Sequence, residues 1–463
     1  MNKKIVTFLD DVCIHIRCKK VHKDLRDELT NHIHELKDEY TNKGHDEEKA
    51  LDMAISAMGN CDEIGDRLNK QHKPETEWSL IGLATIIAII GGIIMFKSNE
   101  FESIQNVSFE KYLIFAVLGI SIMVGFYFFD YTKLKKLALP MYLISLLLLF
   151  FTHFQGASYN GRKLLTICGI SISSEYVTIL LLVAIAGLIE KSRGKGDIAF
   201  LRILMLALIS VLPIITLPDF SRAIVLTICY TVLIISSVIK NHFGGNRKIQ
   251  LSCLGCIGAL IIFFSTYDII SKPYRFERIL SFLTRGKSDP LNSGWQQIMV
   301  DKWLAVSTLF GKTTEKVNGY NLDKGMPGIT TNYVLINIIA TLGWVVGIVL
   351  VLVIAVFIGR MFVTTKKIKN DYGFYLSLGA CTILSAQFTI SVLMNFNLFP
   401  VTDVSLPFIS YGGVGYIVSM ALVGTILSVW RRNNLMGASP KTIVRSTSKF
   451  IKFEDGKLII NFK

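Results

Sequence analysis

The chain has 463 residues, of which 51% are hydrophobic and only 18% charged, with a net charge of +14 and a mean hydropathy of +0.48. A soluble globular chain carries about a quarter charged residues, so this balance excludes an ordinary soluble domain. The Lys and Arg residues are scattered among loops, which fits loops on an anionic leaflet and excludes a nucleic-acid surface.

Residues 1–75 are polar and read as a small helical domain rather than a cleavable signal peptide. The stretch HKDLRDELTNHIHELKDEYTNKG spaces Leu25, Leu29, Ile33 and Leu36 along one helix face. Next, DEEKALDMAISAMGN opens with acids, which suit a helix N-terminus. Six of the eight histidines lie here, but His32 and His34 are two apart and point to different faces, so no metal site is expected.

Ten apolar runs follow, at about 79–96, 111–129, 136–153, 174–190, 199–217, 220–239, 250–270, 332–358, 373–395 and 408–430. Each matches the roughly 20 residues needed to span a bilayer. The predicted fold is all-α: a ten-span membrane domain over 76–432, the helical domain before it, and a basic tail over 433–463. The loops TKLKK, EKSRGKG, KNHFGGNRK and TTKKIKN and the tail from WRR are basic. The positive-inside rule therefore places both termini in the cytoplasm and the long loop 271–331 outside. The CxxC of Cys253 and Cys256 lies in an apolar run with no second pair, so small buried hydrophobes are expected rather than zinc.

Polar groups in such a chain mark candidate sites. Arg162 and Lys163 precede Glu175, which opens the fourth run, and suggest an Arg–carboxylate pair. Asp219 in LPDFSRAIVL suits a helix N-cap, with Arg222 a turn later. The outer loop begins KPYRFERILSFLTRGKSDPLNSGWQQ; its Arg275 and Arg278 suit a pyrophosphate head group, and Trp295 and Trp303 suit an interfacial belt or sugar stacking. In NFNLFPVTDVSLPFISYGGVGY, Pro400 and Pro407 break helix, and Gly412 and Gly413 allow close backbone packing.

PVTDVSLPFISYGG at 400–413 resembles the C-terminal signature of the SEDS proteins (shape, elongation, division and sporulation; the FtsW, RodA and SpoVE group). YRFERILSFL…DPLNSGWQ resembles the start of their large outer loop, LPDFSRAIVL their acid before the sixth span, and GRK…SSE their Arg-to-Glu stretch. The resemblance covers about residues 79–432, while the N-terminal domain looks like the prefix domains found before some bacterial permeases. It implies a peptidoglycan glycosyltransferase in division, elongation or sporulation. A sugar hydroxyl of one lipid II attacks the anomeric carbon of another and displaces undecaprenyl pyrophosphate. That chemistry needs a base at the hydroxyl and cations on the pyrophosphate.

The family's motif L-P-E-x-H-T-D-F, which carries its base, aligns without a gap to MPGITTNY. Pro327 and Thr331 are kept, but the Glu is Gly328, the His is Thr330 and the Asp is Asn332, and an amide cannot act as a carboxylate base. The family's Gly after PVT is here Asp403. The candidate substrate contacts are Arg162, Lys163, Glu175, Asp219, Arg275, Arg278, Thr331, Pro407, Ser410, Gly412 and Gly413.

Three readings follow. In the first, the chain is an active enzyme with a displaced base, Asp403 before Asp323 or Asp289. In the second it is a catalytically silent relative that binds lipid II or scaffolds wall synthesis. In the third it is a lipid or solute transporter. The resemblance requires no cofactor and allows a divalent cation (Mg or Mn) on the pyrophosphate. It implies as partners a class B penicillin-binding transpeptidase and other divisome or elongasome membrane proteins, and a place in the bacterial cytoplasmic membrane.

Overall fold

The computed structural model describes residues 2–16, 19, 22–71, 73–98, 109–159, 162–167, 170–172, 174–217, 220–287, 291–292, 294–435, 451–454 and 457–460. The chain divides into two units. One comprises residues 1–77, 368–370 and 429–439, and the other holds the remainder.

The first unit is built on α1 (Lys3–Ile14), α2 (His22–Asn42), α3 (Glu47–Met58) and α4 (Cys61–Gln71). The Asn2 side chain caps α1 by accepting the Lys4 N–H at 3.1 Å. Phe8, Leu9 and Val12 of α1 meet Leu25 and Ile33 of α2 and Leu51 and Ala54 of α3, with Leu29 and Leu36 packed at the edge. The heptad-like spacing in α2 is therefore the seam of this bundle.

The second unit carries the long apolar helices: α5 (Trp78–Ser98), α6 (Phe109–Phe128), α7 (Ala138–Gln155), α8 (Ser174–Lys191), α9 (Gly196–Thr216), α10 (Phe220–Ile239) and α11 (Arg247–Ser271). After a long connecting segment with α12 (Pro273–Leu283), α13 (Trp295–Val306), α14 (Leu322–Gly325) and α15 (Val334–Leu342) come α16 (Trp344–Lys366), α17 (Asp371–Asn395) and α18 (Gly413–Arg431). Nine of the described helices are long and apolar enough to cross a membrane. The tenth expected span is α8, similar in length, with Glu175, Glu190 and Lys191 in its end turns. Short antiparallel ribbons join the helices in places: β1 (Ala157–Tyr159), β2 (Arg162–Ile167) and β3 (Ile170–Ile172) between α7 and α8, and β4 (Ile451–Glu454) with β5 (Lys457–Ile460) in the tail. α17 is buried along most of its length and packs on α8, α10 and α16, whereas no residue in the apolar window of α11 is buried.

Two expectations are corrected here. The apolar run 332–358 is two helices, broken at Gly343. Gly343 adopts φ 97°, and a Cβ there would lie 2.5 Å from the Leu309 carbonyl oxygen. Loop 308–311 docks at this break, with Trp344 N–H donating to Thr308 O at 3.0 Å and Gly311 N–H to Leu342 O at 3.1 Å. Only glycine offers both the positive φ and the clearance. The second correction concerns the CxxC: Cys256 is exposed and Cys253 only half-buried on α11, whereas Cys229 and Cys381 in other helices are buried.

Successive spans alternate in direction, so the C-termini of α8 and α10 and the N-terminus of α17 share one end of the bundle. Buried charge ties them there. His242 is 2% exposed, its Nε2 lies 3.1 Å from the Ile189 carbonyl oxygen, and its ring meets Tyr375 edge-on at 5.1 Å. Arg193 pairs with Glu190 and Asp371, Lys135 with Glu190, and Lys240 sits over the Phe374 ring. Burial first, then Arg193, Lys240 and Lys135, push the His242 pKa down to about 4. They outweigh Glu190 and Asp371, whose oxygens lie 3.6 and 3.7 Å away and favour the charged ring.

The unfolded histidine takes a proton below about pH 6.5, and the folded one stays neutral until far lower pH. Stability is thus full above pH 6.5 and falls as pH drops toward 4. We expect the thermal midpoint of the detergent-purified chain to fall between pH 7 and 5, and His242→Gln to reduce that fall. An equal fall in both proteins would place the acid sensitivity elsewhere.

Candidate functional site

At the opposite end of the bundle, the turn before α15 meets the segment before α18. Gly328 has φ 74°, and its carbonyl accepts the N–H groups of Thr331 and Tyr333, each at 3.0 Å. The fully buried Asn395, at the end of α17, then clamps this turn. Its Nδ2 donates to Asn332 O at 2.9 Å, and its Oδ1 accepts the Ile336 N–H at 3.2 Å, one of the orphan donors of α15. Tyr411 N–H donates to Thr330 O at 2.8 Å, and Ser410 Oγ to Thr331 O at 2.7 Å. Thr331 and Ser410 are therefore joined through backbone and hydroxyl, as parts of the scaffold. The result brings Asn332 Nδ2 to 3.4 Å from Asp403 Oδ1, although 71 residues separate them in sequence.

Residues 401–407 form a wall between two cavities. On one side, a cavity of about 160 Å³ is lined by Thr402, Asp403, Arg275, Arg278, Ser221 and apolar groups including Phe220 and Phe399. On the other, a cavity of about 30 Å³ is lined by Glu175, Arg222, Gln387, Ser405, Pro407, Ser410, Gly412 and Gly415. The second is large enough for about one water, and Gln387 Oε1 is buried there without a hydrogen-bond partner among the described residues. The wall is held at Phe408, a bulky residue at φ 66°, whose ring packs among Phe357, Phe388 and Tyr416. The Tyr112 hydroxyl donates to its carbonyl at 3.1 Å.

Glu175 is 5% exposed and forms an ion pair with Arg222 of α10. The expected pairing of Arg162 with Glu175 falls on a side chain outside the described residues, as does the side chain of Asp323; Asp219 and Asp289 lie wholly outside them. Lys163 is engaged elsewhere: its Nζ donates to the His153 carbonyl at 2.7 Å.

Arg275 is corrected as a head-group cation. It is 6% exposed and its guanidinium donates to the C-terminal carbonyls of α9, Ile215 at 3.0 Å and Leu217 at 2.5 Å, while pairing with Asp268. Its donors serve a helix end. Arg278, one turn on, stays exposed at the rim of the cavity that holds Asp403. Trp303 is likewise corrected, being 1% exposed in a small separate core with Met299, Val300, Ile329, Tyr333 and Met394, and Trp295 packs against that core. Sequence reasoning missed Asn395, Gln387 and Ser405, because an isolated amide or hydroxyl near a helix end carries no local signal.

The cavity chemistry is that of a carboxylate contacted by an amide, beside apolar walls and an arginine: a proton acceptor and an anion contact in one space. Among the described residues, one cluster brings three metal-type ligands within 4.8 Å of one another, Glu190, His242 and Asp371. It lies at the other end of α8 and α17, and Arg193 already occupies its carboxylates. Those residues do not fit a cation acting near Asp403.

The family profile of FtsW, RodA and SpoVE, described as "Cell cycle protein", matches residues 75–435. A protein of Trichlorobacter lovleyi named "Probable peptidoglycan glycosyltransferase FtsW" is 24% identical over 76% of this chain and 93% of its own length. The "Stage V sporulation protein E" of Bacillus subtilis is 25% identical over 78% of this chain and 98% of its own length. Two solved structures share the fold. A chain from work on "Structural coordination of polymerization and crosslinking by a peptidoglycan synthase complex" has a TM-score of 0.61 at 22% identity, covering 77% of this chain and 98% of that one. The rod shape determining protein RodA of Thermus thermophilus has a TM-score of 0.54 at 19% identity, covering 77% and 97%. The matched region takes in both cavities and every helix that lines them, and on that ground this multi-pass membrane protein belongs to the FtsW, RodA and SpoVE family.

Proposed function

We propose that this chain polymerises lipid II at the outer face of the bacterial cytoplasmic membrane, with Asp403 as the base. The observation that carries this reading is the 3.4 Å approach of Asp403 to Asn332. The carboxylate absent from position 332 is supplied by the segment before α18, one hydrogen-bond length away. Asp403 Oδ takes the proton of the acceptor sugar hydroxyl as that oxygen attacks the anomeric carbon. The Asn332 amide orients the carboxylate, and Arg278 meets charge developing on the departing pyrophosphate. The basic loops at the other end of the bundle support an outward-facing site.

A divalent cation on the pyrophosphate would add charge stabilisation there. One carboxylate and one amide suit an ion held mainly by the lipid's own oxygens. The fold shared with a chain of a peptidoglycan synthase complex supports a class B transpeptidase as partner.

The test is purified full-length chain incubated with lipid II, with and without such a transpeptidase, and analysis for glycan strands. Polymer is expected. Its absence under both conditions would overturn the enzymatic reading in favour of a silent lipid II-binding relative. The changes at Gly328, Thr330 and Asn332 favour that second reading.

A further inference from the structure

A second cleft, of about 540 Å³, lies between α5, the start of α6 and the end of α15, at the same end of the bundle as Asp403. Its apolar wall is Ile89, Ile93 and Phe96, which are 57%, 47% and 60% exposed and so face the bilayer. Its polar lining includes Lys97, in the last turn of α5, and Lys312, both exposed. Neither has an ion-pair or hydrogen-bond partner among the described residues.

Thr341 completes the polar lining and is anchored. Its hydroxyl donates to Asn337 Oδ1 at 2.9 Å, and Asn337 Nδ2 donates to Ser98 Oγ at 2.9 Å. The cleft is thus tied rigidly to α15, whose other end begins just after Asn332. The nine residues of α15 span about 13 Å at the rise of an α-helix.

We propose that this cleft holds a polyprenyl lipid with a terminal phosphate or pyrophosphate, the class of the leaving group in the reaction above, and the proposal rests on that reading. Charge selects this occupant. A terminal phosphate carries about −1.5 to −2 at neutral pH and matches two lysines, whereas the phosphodiester of a phospholipid carries a single charge. An apolar partner helix would leave both ammonium groups without a counter-charge. The prenyl chain lies along Ile89, Ile93 and Phe96, and the head group meets Lys97 and Lys312.

The experiment is native mass spectrometry of the detergent-purified chain titrated with undecaprenyl phosphate, and separately with phosphatidylglycerol. Undecaprenyl phosphate is expected to bind in preference. Lys97→Gln with Lys312→Gln is expected to weaken it by about thirtyfold, the combined effect of two lysines beside an anionic head group. Gly92→Leu supplies a second probe. A Cβ at Gly92 meets only Tyr112 Cε1 at 3.9 Å, so the leucine fills the cleft without disturbing the core. Its thermal midpoint should hold while binding is lost. Asp403→Asn should leave binding unchanged, which separates this site from the reaction centre. Unchanged binding in the lysine or Gly92 variants overturns the proposal. So does equal retention of phosphatidylglycerol, or a transmembrane helix that occupies the cleft and resists displacement by undecaprenyl phosphate.

Discussion

Asp403→Asn is expected to lower lipid II polymerisation by about 10²–10⁴-fold, the usual contribution of a positioned general base, with little change in thermal stability. The side chain is only half-buried, and the asparagine keeps its shape. Asn332→Asp in the same protein should recover part of the lost rate, because the new carboxylate lies a hydrogen-bond length from the old one. Asn332→Asp alone is the sharper probe. It sets two carboxylates about 3.4 Å apart, and like charges at that separation raise one pKa. The acid limb of the pH–rate profile should therefore move to higher pH rather than vanish. Measured rates of Asp403→Asn equal to the parent's would exclude Asp403 as the base, whatever the effect at 332.

Arg222→Ala is expected to cost about 3–5 kcal/mol of stability, since it leaves the Glu175 carboxylate buried without its charge partner. The matching double change, Glu175→Met with Arg222→Met, should restore most of that loss, because two apolar groups replace the pair without stranding a charge. Thermal unfolding in detergent measures both. The double variant also separates packing from function. If it is stable yet inactive in polymerisation, the pair serves the cavity it lines as well as the bundle; if it is stable and active, the pair is structural.

The spans themselves were legible, because burying a helical backbone in lipid demands about 20 apolar residues in a row and nothing else in the chain imitates that. The motif order at 400–413 was legible for the same kind of reason: prolines and glycines at membrane depth require a special backbone, and the wall at Pro407 and Phe408 supplies it. The break at Gly343 was not legible. Leu342, Gly343 and Trp344 sit inside one apolar run, and only the docking of loop 308–311 makes a positive φ there favourable.

Arg275 and Arg278 look alike in sequence, three residues apart at the start of one helix, α12. Both line the cavity, and tertiary structure alone decides that the first is buried closing the end of α9 while the second stays exposed with its guanidinium at the rim. In the same way, composition and hydropathy by themselves determined a polytopic helical chain with charged groups where charge is costly. They could not pair those groups, because pairing depends on which helix ends pack together. Glu175 proved to pair with Arg222, 47 residues away, and Asn332 proved to neighbour Asp403, across a turn built from three separate segments. Local pattern reports the cost of placing a residue in lipid or protein, and only the packed bundle reports which residue offsets it.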